Sequence, residues 1–89
     1  MLFMVIERYR EGALEAVGQR YAERGRLLPE GVAYVSSWLH PDGSVCYQVM
    51  EAPDREALGA WTARWDDLVD FEIVPVTASP AFWAQRNDG

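Results

Sequence analysis

The chain has 89 residues, 49% of them hydrophobic and 25% charged, with a formal net charge of −6. The length predicts one domain, and the acid surplus argues against nucleic acid and anionic membrane surfaces, which require basic patches. A single cysteine, Cys46, excludes an intrachain disulfide framework and a multi-cysteine zinc site.

The first apolar run, Met1–Ile6, is too short for the core of a signal peptide and is followed by Glu7. No run approaches membrane-spanning length, so a soluble, cytoplasmic protein is expected. Leu2-Phe3-Met4-Val5-Ile6 is apolar without alternation, which predicts a central strand covered on both faces. Residues 12–28 read as a helix, with Leu14, Val17, Tyr21 and Leu28 near one face and Pro29 as its stop. Arg20, Arg24 and Arg26 on it suggest a small anion site. The plainer reading is a solvated helix face.

Two β-rich runs follow, joined at Pro41-Asp42-Gly43, a sequence suited to a three-residue hairpin loop. With that loop, His40 lies opposite Ser44, Trp38 opposite Cys46, and Val35 opposite Val49. One face then carries Ala33, Val35, Ser37, Leu39, Val45, Tyr47, Val49 and Glu51. The other carries Tyr34, Ser36, Trp38, His40, Cys46, Gln48 and Met50. A slip of one residue would break this partition.

Asp54 is placed as the N-cap of a second helix, and Leu58, Trp61, Trp65 and Leu68 form its apolar stripe. Asp66, Asp67, Asp70 and Glu72 offer oxygen ligands for a hard cation, although a solvated acidic helix end explains them as well. Phe71–Val76 reads as a last strand, on an edge because Pro75 cannot donate to a ladder. Residues 79–89 form a tail that either folds back or reaches over a partner through Phe82 and Trp83, with Asn87-Asp88-Gly89 frayed.

The order β-α-β-β-α-β predicts an α+β, ferredoxin-like domain over residues 1–78. Its four-stranded antiparallel sheet carries two helices on one face. The other face, read as holding Tyr34, Trp38 and Met50, needs a cover, and twofold sheet-to-sheet pairing of a homodimer supplies one.

Three segments also resemble a known group: the start Met-Leu-Phe-Met-Val-Ile-Glu, the run Arg24-Gly25-Arg26-Leu27-Leu28-Pro29-Glu30-Gly31, and residues 65–76, Trp-Asp-Asp-Leu-Val-Asp-Phe-Glu-Ile-Val-Pro-Val. They look like a bacterial family of uncharacterised small proteins, a domain of unknown function, and the resemblance covers about Met1 to Val76. That family is similar to the dimeric α+β barrel superfamily. Membership implies two ferredoxin-like sheets paired into a barrel, often with a cavity in each half. Relatives there include small monooxygenases, muconolactone-isomerase-like enzymes and haem proteins. No activity carries over from the family itself.

The chemistry legible in the residues is thin. The haem relatives hold iron through a deep histidine, whereas His40, the sole histidine, abuts a turn, so no haem, other cofactor or metal is expected. Cys46 reads as a small buried hydrophobe rather than a nucleophile. Glu7 and Glu51 at strand ends suggest an acid–base pair, but strand-end charges facing water are the ordinary expectation. The candidate ligand face is Tyr34, Ser36, Trp38, Cys46, Gln48 and Met50, taking a small apolar or aromatic molecule between the paired sheets without catalysis. One alternative is a cofactor-free monooxygenase- or isomerase-like enzyme, with Trp38, His40, Tyr47 or Glu51 assisting proton transfer. Another is a structural or regulatory partner-binding module.

Overall fold

The computed structural model describes residues 1–88. In β1 (Leu2–Tyr9), Phe3, Val5 and Glu7 are buried and point one way, while Met4, Ile6 and Arg8 point the other. The chain continues through α1 (Leu14–Arg24), β2 (Ala33–Leu39), β3 (Val45–Glu51), α2 (Arg55–Thr62), β4 (Val69–Val76) and α3 (Ser79–Asp88). The strands form one antiparallel sheet in the order β2-β3-β1-β4. This is the expected ferredoxin-like α+β arrangement, with β1 central and the proline-bearing β4 at an edge.

The core lies between the sheet and α2. Phe3, Val5 and Met50 pack with Leu58, Trp61 and Trp65, and Trp61 meets Phe71 edge-to-face at 5.6 Å. Asp54 caps α2 as expected, its carboxylate accepting from the Ala57 amide at 2.8 Å. The expected stripe splits at the helix end. Leu58 and Trp61 lie on α2, whereas Trp65 sits in the turn that follows.

The hairpin register differs from expectation. His40 pairs with Val45, its amide donating to the Val45 carbonyl at 2.8 Å, so the loop is the four residues Pro41–Ser44. Asp42 draws Ser44 into the turn by accepting from its amide at 2.8 Å, the bond an Asx turn makes. Leu39 therefore faces Cys46, Ser37 faces Gln48 and Trp38 faces Tyr47. An irregularity at Val35 then restores the expected pairs Tyr34–Met50 and Ala33–Glu51. The face reading fails accordingly. Tyr34, Ser37, Leu39, Cys46, Gln48 and Met50 look toward the helices, and Ser36, Trp38, Val45, Tyr47 and Val49 look away.

α1 is shorter than the reading over 12–28. Gly25, at φ 67°, ends it by donating its amide to the Tyr21 carbonyl, four residues before Pro29. The tail does not fold back on its own domain. α3 leaves residues 79–86 exposed, with Trp83 57% accessible. The fraying expected at Asn87-Asp88-Gly89 concerns a helix that runs to Asp88, and Gly89 lies outside the described residues.

Candidate functional site

α1 touches the core only through Val17, which is half-buried against it. None of its residues is buried, and its apolar positions Leu14, Val17 and Tyr21 border a cavity of about 250 Å3. Trp61 and Trp65 close one side, and Leu39 on β2 closes another. Leu14, Tyr21 and Leu39 are 47%, 48% and 57% exposed, so they form an apolar rim open to solvent.

The floor is polar and comes from the sheet. Glu7 and Tyr9 on β1, Cys46 and Gln48 on β3, and Ser37 on β2 all face into the cavity. Glu7 is 8% exposed, and its Oε2 is buried without a hydrogen-bond partner among the described residues. Gln48, two positions along the neighbouring strand from Cys46, turns its amide nitrogen to the Met50 sulfur at 3.0 Å instead.

Burial pushes the Glu7 carboxyl up to about 7, and the Arg26 guanidinium opposes that rise only in part. The same burial, followed by the Glu7 charge, pushes the Cys46 thiol up to about 11. The Tyr9 phenol is also raised, first by burial and then by Cys46 and Glu7. At neutral pH, therefore, Cys46 and Tyr9 stay protonated. Cys46 is no thiolate nucleophile, and Glu7 stands between its two protonation states, as an acid–base group requires.

Arg26 reaches the cavity because the loop after α1 is pinned. The indole nitrogens of Trp61 and Trp65 both donate to the Arg26 carbonyl at 3.0 Å, and Arg64 donates to the Leu27 carbonyl at 2.6 Å. Leu27 is held at φ 60°, a left-handed conformation that costs a leucine free energy and persists only where surroundings enforce it. The Arg26 guanidinium lies 3.5 Å from the Tyr34 ring centre and donates to the Tyr21 hydroxyl at 3.0 Å. Thus the Arg24–Gly31 and Trp65–Val76 segments, singled out in the sequence, meet at the wall of this cavity.

Of the six candidate ligand residues, Cys46 and Gln48 line the cavity. Tyr34 and Met50 lie on the same face of the sheet outside its lining, while Ser36 and Trp38 are on the opposite face. None of Trp38, His40, Tyr47 and Glu51 lines it either. His40 pairs with Asp42 at the exposed hairpin tip, 2.9 Å apart, and Glu51 lies at the far end of β3. Glu7, expected from the sequence to face water, is instead buried at the floor of the cavity. Its signal was position, since Phe3, Val5 and Glu7 alternate on one face of an apolar central strand.

Of the seven charged groups read as an anion or cation site, Arg20, Asp67, Asp70 and Glu72 are held in ion pairs. Arg20 holds Asp67 through two bonds of 2.9 and 2.7 Å, and Arg10 and Arg8 pair with Asp70 and Glu72. Arg24 joins Arg20 and Arg64 beside Leu27 at a surface hollow, while Arg26 turns to the aromatic rings. No group of three or more His, Cys, Asp or Glu side chains suited to a metal occurs among the described residues. No helix among them is long and apolar enough to cross a membrane.

No significant match was found among curated proteins or among solved structures. The sequence profile described as "Domain of unknown function (DUF3303)" matches residues 1–85, and the chain belongs to that family.

Proposed function

We propose that this protein binds a small, largely apolar molecule in the cavity under α1 and works as a homodimer paired through the open face of its sheet. One observation carries the ligand reading. An amphipathic helix normally buries its apolar stripe, whereas α1 leaves Leu14 and Tyr21 half exposed on a cavity and half-buries only Val17 against the core. About 250 Å3 is larger than an engineered apolar cavity of ~150 Å3 that admits benzene, and suits a molecule of one or two rings. The site is thus on the helix side of the sheet rather than between two sheets. The test is titration of the full chain with naphthalene, followed by amide chemical shifts. Shifts centred on Val17, Gly18, Cys46 and Gln48 are expected, and their absence at saturation removes the reading.

The pairing reading rests on the open face. Trp38 and Tyr47 face each other there, beside Met4, Ile6, Val45, Val49, Val74 and Val76, an apolar surface that an isolated protomer leaves to water. α3, with Phe82 and Trp83 exposed, would reach over the partner. Solution mass at micromolar concentration is expected to be twice that of the chain, and Trp38→Glu should halve it without emptying the cavity. A wild-type monomer would defeat the pairing.

A second reading, a cofactor-free enzyme of the isomerase or monooxygenase type, is favoured by Glu7. A carboxyl that titrates near neutrality at the floor of an apolar cavity is the kind of group that moves a substrate proton.

A further inference from the structure

Resting on the reading of the cavity as a small-molecule site, we infer that its ligand is a neutral aromatic bearing a hydroxyl group, a phenol or hydroxylated bicycle, whose O–H donates to the free Glu7 oxygen. The walls specify the body of the ligand. Trp61, Trp65, Tyr21, Leu14 and Val17 present flat apolar surface, which a planar ring covers with little rotamer entropy to lose.

The floor specifies one polar group. A buried acceptor without a partner costs on the order of 1–3 kcal/mol, and more when charged. Glu7 Oε2 is such an acceptor, and the neighbouring side chains leave it unpaired. The Gln48 amide nitrogen is engaged with Met50, and the Arg26 guanidinium is engaged with the Tyr21 hydroxyl and the Tyr34 ring. A ligand that donates one hydrogen bond at this point removes the deficit, and a bare hydrocarbon leaves it in place.

Charge excludes the other donors. An ammonium ligand would pair with Glu7 but would share the cavity with the Arg26 guanidinium. An anionic ligand would face the Glu7 carboxylate. A neutral hydroxyl satisfies Oε2 without adding charge to a poorly solvated space. Glu7 is also met from each packed element by its titratable groups: Tyr9 on β1, Cys46 on β3, Tyr21 on α1 and Arg26 on the loop after α1. Tyr9 and Cys46 stay protonated through neutrality, so within this set the acceptor strength of the floor follows the Glu7 carboxyl between pH 5.5 and 8.

The experiment compares naphthalene, 2-naphthol and 2-naphthylmethylamine on the full-length chain by titration calorimetry and amide shifts, at pH 5.5 and pH 8. The expected result is 2-naphthol tighter than naphthalene by about tenfold at pH 8, with the preference smaller at pH 5.5. In Glu7→Leu, checked for folding by its thermal melt, the preference should vanish while naphthalene binding is kept or improved. Should that variant not fold, the pH dependence of the preference in the wild type decides alone. Equal affinity of naphthalene and 2-naphthol at both pH values overturns the assignment to Glu7 and leaves the cavity reading standing. Tighter binding of the amine than of the naphthol overturns the ligand class. Failure of all three probes to shift the lining residues overturns the assignment together with the cavity reading itself.

Discussion

The two helices packed on the sheet treat it differently. α2 drives Leu58 and Trp61 into the sheet, where they meet Phe3, Val5 and Met50 in a closed apolar cluster. α1 buries no residue fully, leans on the core only through Val17, and stands over a cavity floored by Glu7, Cys46 and Gln48. The strands beneath are the same, because β1 and β3 run under both regions. What changes along them is side-chain chemistry: Phe3 and Val5 give way to Glu7 on β1, and Met50 gives way to Gln48 and Cys46 on β3. One end of the sheet supplies the stability that lets the other stay unfilled.

Truncating one leucine in each half tests this contrast most directly. Leu58 is fully buried, so Leu58→Ala loses transfer free energy and leaves a void, costing about 3 kcal/mol. Leu14 is nearly half exposed on the cavity rim, so Leu14→Ala should cost under about 1 kcal/mol. Urea unfolding of both variants measures the contrast. Equal costs would mean that α1 packs as tightly as α2.

A somewhat smaller effect isolates the polar floor. The folded Glu7 carboxyl titrates near 7, above its ordinary value of 4.5. A raised carboxyl favours the folded state while it is protonated in both states, below about pH 4.5. That advantage is lost as pH rises through 7 and the buried group must ionise. At ~1.4 kcal/mol per unit of pKa, the loss between pH 4.5 and pH 8 approaches ~3 kcal/mol at most. Unfolding free energies for wild type and Glu7→Gln should therefore diverge with pH, the wild type falling relative to the variant. Parallel curves would place Glu7 in water.

The sequence revealed this division only in part. Element order as far as β4, the central place of β1, the edge place of β4 and the Asp54 cap are legible because each rests on local pattern or proline chemistry, whereas the helix α3 in the tail is not. The hairpin register is not legible either. Asp42 captures the Ser44 amide, adding one residue to the turn, and the extra residue flips Ser36 to Leu39 against β3. The irregularity at Val35 then undoes the slip, and no residue type announces it. As a result, Trp38 changed faces while Tyr34 and Met50 kept their partnership. Glu7 was misread for another reason. Its alternation with Phe3 and Val5 put it on the covered face, but a carboxylate near a strand end is ordinarily solvated, and the end of β1 lies under α1.

Gly43 links the turn to the open half of the molecule, and substitution there carries the next effect in size. Its φ is 76°, and a methyl group on it would meet the Leu14 Cδ2 at 2.9 Å. Gly43→Ala must strain the turn through its positive φ and turn the half-exposed Leu14 side chain aside, costing about 1–2 kcal/mol. Because Leu14 is on the rim, amide shifts in α1 should accompany the loss. A destabilisation confined to the hairpin would separate the turn from the cavity.

The smallest effect comes from one substitution made in both helices. Gly18 in α1 and Gly59 in α2 are interior helical glycines, and a methyl group added at either meets nothing within 4 Å. Alanine is favoured over glycine there by up to about 1 kcal/mol, so Gly18→Ala and Gly59→Ala should each raise stability by a similar fraction of that. Their consequences for the cavity differ. Gly18 borders it and Gly59 does not, so the methyl at 18 narrows the space while the methyl at 59 leaves it untouched. Naphthalene should bind several-fold more weakly to Gly18→Ala and unchanged to Gly59→Ala. The pair thus holds helix propensity constant and varies only the volume under α1. If both variants bind alike, the ligand enters somewhere other than the space that α1 leaves open.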